Sequence, residues 1–408
     1  MAQKASPISP AVTTPTASMT PPGMTNNEKD KALKTAILLV NKENEDLVPG
    51  YVMSYHRTNR KYKLVQELHR SSVSWVFKVR AEPVDKTRDD FFAMKIERIE
   101  QADFLRSDLN VMDEVSNLKE KFKELIIQLP HFIDYGKTAK YRSLVMPFYW
   151  MNLHDLRMQV LKDKFFTVKS ATRLNAQTLN AITALHRLNF IHGNICPRSF
   201  MLDKDRHSVR LIDFSSGHFN RRTIREMRTN NVDPIFASRQ VMGGEVAREH
   251  DDIESWVFLS FDMLAPQFLR WRSLKDNDEI VEAKEAFLMK PKSESLQNPK
   301  LYDNLPASYR RLCLLFVSME VDHKRFHKLV NTPLISSKIK VTDPFEWEEA
   351  YGQMSKSKDN NKPTELNPKV AESNPKVVES NPKVAGSNPK VVTSNKPNSK
   401  VQKVEVNQ

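Results

Sequence analysis

The sequence predicts an α+β domain in which strands come first and helices follow. Two observations predict it. Between Tyr62 and Trp150 lie five apolar or alternating runs of strand length: KYKLVQEL, SWVFKVRAE, FFAMKIERI, HFIDYGKT and RSLVMPFYW. Polar turns separate them, as expected for buried and half-buried strands. From Leu153 the pattern turns helical, in LHDLRMQVLKDK and then SATRLNAQTLNAITALHRLN. Strands followed by helices within one domain give segregated layers. One helix interrupts the strands, because Leu109, Met112, Val115 and Leu118 share a face over 109–123.

The flanks read differently. Residues 1–30 are rich in Pro, Ser, Thr and Ala. They bury too little apolar surface to offset ordering entropy and are expected to be disordered. Residues 31–61, with an apolar patch at Ala36–Val40 and a turn at Pro49-Gly50, read as a lead-in segment. From 352 to 408 the chain repeats Asn-Pro-Lys-Val at 367, 374, 381 and 388. A proline in every repeat forbids a coiled coil despite the seven-residue spacing, so an extended, disordered basic tail is expected. It is either a solvated tail or one that binds acidic partners.

Composition narrows the class. Two cysteines, Cys196 and Cys313, cannot build a disulfide framework, which favours an intracellular setting, cytoplasm or nucleus. No apolar run is long enough to span a membrane, and the first residues lack the apolar core of a signal peptide. A net charge of +13 favours acidic or phosphorylated protein partners, and nothing in the pattern points to nucleic acid. Glycine is scarce, at 9 residues in the chain.

Several segments stand in a telling order. They are HRSSVSWVFKV, FFAMK, MDEVSNL, SLVMPFYW, FIHGNICPRSFML, LIDFSSG, NNVDPIFAS, REHDDIESW and LRWR. In this order they resemble the protein kinases of the casein kinase 1 group, nearest its tau-tubulin kinase branch, over roughly residues 60–335. The resemblance implies a two-lobed protein kinase fold over 62–345, with a small β-rich lobe before a larger helical one.

It also implies site residues. Lys95 takes the place of the lysine that holds the nucleotide phosphates, with Glu114 as its expected carboxylate partner. The glycine-rich loop falls on His69, Ser71 and Ser74, where no glycine remains. Met146, Pro147 and Tyr149 occupy the hinge that faces adenine. The catalytic loop keeps His192, and Asp252 is the aspartate that braces it. The base position is Asn194, the phosphoryl-screening lysine is Cys196 and the metal-binding amide is Ser199. Asp213 remains as a lone metal carboxylate, followed by Phe214 in its packing role and by Ser215 in place of glycine. Arg221, Arg222, Arg225 and Arg228 form a basic run that would hold phosphate or carboxylate groups bidentately, or simply face solvent.

An amide orients a hydroxyl but does not accept its proton near neutral pH. The resemblance with these departures therefore implies a pseudokinase that binds, scaffolds or regulates. ATP is expected to bind weakly, and Mg²⁺ to be poorly held by one carboxylate. Two other readings stay open: a weak Ser/Thr kinase acting on acidic proteins, and a binder of acidic proteins or microtubules working through its basic tail.

Overall fold

A computed structural model describes residues 47–55, 60–84, 91–100, 103–118, 127–161, 165–220, 232–289, 305–313, 315, 321–340 and 342–348. The N-terminal 1–30 stretch, most of the lead-in segment, the 352–408 tail and the basic run at 221–228 lie outside the described residues. The described residues fall within one compact unit ending at Pro368.

The first lobe is a six-stranded antiparallel sheet ordered β1-β2-β3-β4-β6-β5. Its strands are β1 (Val52–Tyr55), β2 (Arg60–Arg70), β3 (Ser74–Glu82), β4 (Phe91–Arg98), β5 (Asp134–Lys137) and β6 (Tyr141–Pro147). The five predicted runs are β2 to β6. The edge strand β1 comes from the segment read as a lead-in, and it pairs with β2 from Val52 opposite Lys63 to Tyr55 opposite Arg60. Alternation fixes the register: Tyr62, Leu64, Phe77, Val79, Met94, Ile96 and Val145 fill one core with Leu47 and Met53.

Helix α1 (Leu105–Leu118) covers the other face through Leu105 and Met112, which pack on Leu144 and Met146. It starts four residues before the predicted 109, and the N–H of Leu105 finds Glu97 Oε2 at 3.2 Å. This earlier start decides which acid reaches the cleft. Val111 and Val115, farther along, join the core of the second lobe.

That lobe is built on helices α2 (Val168–Arg187), α3 (Glu249–Leu264), α4 (Asn277–Met289) and α5 (His323–Ser336). Thr167 caps α2 by accepting the N–H of Ser170 at 3.2 Å. Every residue of α3 from Asp251 to Leu264 is buried, so this helix is the axis of the lobe. Its own Trp256, Phe258 and Phe261 pack in one core with Trp271 and Phe287, each burying enough surface to contribute about 2 kcal/mol or more. The predicted helix from Leu153 is one α-turn to Asp155, capped by Asn152, that widens into a π-turn over Leu156–Val160.

Small ladders carry the cleft-lining loops. Strands β7 (Met151–Asn152), β9 (Phe200–Leu202) and β10 (Val209–Leu211) form one, in the order β10-β9-β7. Strands β8 (Phe190–Ile191) and β11 (His218–Phe219) form the other. No helix among the described residues is long and apolar enough to cross a membrane.

Candidate active-site cleft

Lys95 sits in the middle of β4, where pairing with Leu144 on β6 directs it under the sheet. It is buried, and its ammonium lies 2.8 Å from Asp108 Oδ2 and 2.9 Å from Asp213 Oδ1. The partner role expected of Glu114 therefore belongs to Asp108. Glu114 lies six residues later on α1, about 9 Å along the axis and a third of a turn around it. The resemblance pointed to Glu114, whereas the fold brings Asp108, on the first turn of α1, to the ammonium. Glu97, buried on the neighbouring register, accepts Arg142 Nε at 3.2 Å as a second ion pair.

Burial alone would lower Lys95, but the charges of Asp108 and Asp213 outweigh it and hold the ammonium above its ordinary range. Burial raises Asp108, with the Lys95 charge opposing. Burial would also raise Asp213, yet Lys95 and the Ser215 hydroxyl, 2.8 Å from Oδ1, keep it well below the usual carboxylate range. Asp213 has φ +65°, a left-handed backbone that costs a non-glycine residue energy and persists only where the surroundings enforce it.

The surroundings do enforce it. The N–H of Phe214 donates to Asp108 Oδ1 at 2.8 Å, and Ser107 Oγ donates to the carbonyl of Gly217 at 3.1 Å. Phe214 is fully buried, edge-on to Phe190 and His192. A Cβ on Gly217 would lie 2.3 Å from the Phe190 ring, so only glycine lets this turn approach β8. Helix α1 and the 213–217 turn are thus locked together by the protein's own groups.

The catalytic loop hangs from Asp252, on the first turn of α3. Asp252 Oδ2 accepts the N–H of His192 and Oδ1 that of Gly193, each at 2.8 Å. The N–H of Asn194 points at His192 Nδ1 (3.2 Å), so Nε2 bears the imidazole proton and donates to the carbonyl of Ile212 at 3.0 Å. Gly193 has φ +76°, and a Cβ there would meet the carbonyl of Ser216 at 3.0 Å.

The chemical positions of the same loop are neutral and turned inward. Asn194 is half-buried. Ser199 Oγ donates to the carbonyl of Asn194 at 2.8 Å and lies 3.4 Å from Cys196 Sγ. Burial pushes the Cys196 thiol up, away from thiolate character.

The turn between β2 and β3 is equally self-contained. Ser71 Oγ accepts the N–H of Ser74 at 3.0 Å and that of Val73 at 3.3 Å, while the N–H of Ser71 reaches the Ser74 carbonyl at 2.8 Å. The amides of Val73 and Ser74 are thus spent on the serine hydroxyl of the same turn. His69 is exposed at the end of β2, paired opposite Val76. At the hinge, Met146 is buried opposite Ala93, Pro147 ends β6, and Tyr149 is buried, which raises its phenol pKa. The Phe148 ring, between them, faces the Lys78 ammonium at 5.1 Å.

Lys284 was missed in the sequence and is the most unusual cation of the second lobe. It is fully buried on α4 and donates to the carbonyls of Pro234 and Ala237, each at 2.6 Å. Burial lowers it to about 7, the charges of Glu254 and Asp233 opposing. It holds the 234–237 segment, which also receives Trp271 Nε1 at the Ile235 carbonyl (2.8 Å). A lone lysine in an amphipathic helix gives no such signal in sequence.

Comparison with known proteins agrees with this architecture. The chain is 24% identical over 251 residues to ZK507.3, a protein of Caenorhabditis elegans named as a serine/threonine-protein kinase, covering 59% of this chain and 63% of the relative. It is 25% identical over 272 residues to a serine/threonine-protein kinase of Dictyostelium discoideum, covering 63% and 51%. The chain therefore spans between half and two-thirds of the length of these relatives. Among solved structures it resembles vaccinia related kinase 3, with a TM-score of 0.58 and 18% identity, covering 76% of this chain and 98% of that one. The model of the protein kinase domain family matches residues 62–332, more than half of the chain. The chain belongs to the protein kinase domain family.

Proposed function

We propose that this chain is a catalytically impaired kinase of the casein kinase 1 type, nearest the tau-tubulin kinase branch, that binds and organises protein partners. The observation that supports it most is the neutral floor of the cleft: Asn194, Cys196 and Ser199 stand where base, screening lysine and metal amide are needed, on a loop whose bracing is intact. The family in general uses ATP and Mg²⁺, and these residues fit that pair poorly. Magnesium wants several oxygen ligands in near-octahedral order. Here Asp213 is the remaining carboxylate, and its Oδ1 already receives Lys95 and Ser215. Ser71 competes with phosphate for the turn amides. Partners are acidic or phosphorylated proteins, a reading that rests on the net charge of +13.

A thermal-shift titration of the full chain with ATP, with and without Mg²⁺, tests the reading. Ligand that binds the native state raises the midpoint by mass action. The expected result is a small or absent shift that Mg²⁺ does not enlarge. A large Mg²⁺-dependent shift, with phosphate transfer to an acidic protein that Lys95→Met abolishes, would establish the second reading. That reading is a weak Ser/Thr kinase, and the surviving contact of Lys95 with Asp213 favours it. Deletion of residues 352–408 followed by a partner-binding salt series addresses the basic tail.

A further inference from the structure

Behind the catalytic loop three helix ends meet. His186 is in the last turn of α2, His323 opens α5 and Glu249 opens α3. His186 is buried and the other two are half-buried. His186 Nδ1 and His323 Nε2 are 3.2 Å apart. One nitrogen of each ring and a carboxylate oxygen of Glu249 lie within 4.8 Å of one another. Two imidazole nitrogens on a tetrahedral zinc, each about 2.0–2.1 Å from it, must themselves be about 3.3 Å apart. The histidine pair already has that spacing, and Glu249 needs only a side-chain adjustment.

The remaining atoms are arranged as they are around metal-bound histidines. A ligating ring has its other nitrogen held by a carboxylate or another acceptor, which fixes tautomer and aim. His186 Nε2 lies 2.9 Å from Asp252 Oδ2. His323 Nδ1 lies 3.2 Å from Thr183 Oγ1, and that hydroxyl lies 2.9 Å from His327 Nε2. Glu249 Oε1 accepts Asn220 Nδ2 at 3.1 Å, leaving its second oxygen to turn inward. A plain hydrogen bond between two neutral rings accounts for the 3.2 Å contact, but it gives Glu249 no part.

We propose that His186, His323 and Glu249 form a site for a zinc-class divalent cation, with water as the fourth ligand. With metal bound, His186 Nε2–H donates to Asp252, His323 Nδ1–H donates to Thr183, and Thr183 Oγ–H donates to His327 Nε2, so both outer ring nitrogens of the ligating histidines are satisfied. The site pins α2, α3 and α5 together. Through His186 it also fixes the aspartate from which the catalytic loop hangs. Its role is structural, and it stands apart from any nucleotide chemistry.

The test uses the full chain without an affinity tag, stripped with a chelator and titrated with Zn²⁺ by calorimetry and with Co²⁺ by visible absorption. The expected result is one equivalent bound with a dissociation constant of about 1 μM or tighter, a tetrahedral Co²⁺ spectrum and a raised thermal midpoint. His323→Ala and Glu249→Gln should each weaken binding by at least about tenfold, while His207→Ala leaves it unchanged. Glu249→Gln keeps the side-chain volume and the Asn220 contact, so it decides the matter should His323→Ala not fold. Absence of a saturable single equivalent, or equal affinity in Glu249→Gln and the parent, overturns the site.

Discussion

The two walls of the cleft differ in what they have kept. The upper wall is charged: Lys95 lies between Asp108 and Asp213, and Asp108 also holds the Phe214 N–H. The lower wall, on the loop from His192 to Ser199, presents an amide, a thiol and a hydroxyl. The difference teaches that the upper ions are also fold contacts. They join β4, α1 and the 213–217 turn, so loss of Lys95 leaves the buried Asp108 charge without its cation. On the lower wall the loop is held by its backbone N–H groups on Asp252, and Cys196 and Ser199 pack inside it. The upper set is therefore under structural constraint whatever chemistry the cleft performs.

The largest break of this comparison is expected at Asp252. Asp252→Ala strands the buried His192 N–H, the half-buried Gly193 N–H and the ring of His186, and should destabilise the domain by about 3–5 kcal/mol or prevent its folding. Urea unfolding of the soluble variant measures it. A loss under about 1 kcal/mol would mean that the loop is held elsewhere.

Lys95→Met comes next. In a protein kinase that transfers phosphate, this lysine's ion pair must be in place for the reaction. Here its loss should show first as stability, about 3 kcal/mol, because Asp108 is buried and keeps only the Phe214 N–H. Asp213, being 46% exposed, rehydrates at little cost. Asp108→Asn, which keeps the shape and still accepts the Phe214 N–H, should lose less than Lys95→Met. Equal losses would show that the ammonium contributes nothing beyond packing.

Lys284 sharpens the contrast from a third direction, since it is a buried cation held by carbonyls, the Met242 sulfur and ring faces, with no carboxylate in contact among the described residues. Its folded value of about 7 lies below that of a lysine in the unfolded chain. Between those two values the unfolded chain binds a proton that the folded one does not, so stability rises with pH through that window. The cost of burying the cation is present in full below about pH 7. Lys284→Met should remove this slope and, by orphaning the Pro234 and Ala237 carbonyls, cost about 2 kcal/mol near pH 9. Chemical denaturation at pH 7 and pH 9 separates the two effects.

Much of this was legible in the sequence where a residue type has one physical use. Alternation gave β2 to β6, and the apolar spacing gave α1 and α2, because burial imposes those periods directly. His192, Phe214 and Asp252 were legible through the motifs around them. What failed was the partner of Lys95: the resemblance put it at Glu114, and the packing of α1 on the sheet, which a motif does not record, brings Asp108 to the ammonium instead. Lys284 and the meeting of His186, His323 and Glu249 were not legible at all. Those residues are far apart in the chain and are joined only by helix packing.

The smallest expected effect is also the sharpest test of the lower wall. Asn194→Ala removes a half-buried amide from the loop. The hydrogen bond that crosses the loop, from Ser199 Oγ, ends on the backbone carbonyl of Asn194, which alanine keeps. The Asn194 N–H, 3.2 Å from His192 Nδ1, is likewise backbone. The change should therefore shift stability by no more than about 0.5 kcal/mol, the range of substitutions away from packing and polar networks. Partner binding should not move either. A loss above about 1.5 kcal/mol would show that the amide is a structural part of the loop. The neutral floor would then be a fold requirement of this chain, and the absence of a base at 194 would say nothing about release from catalysis.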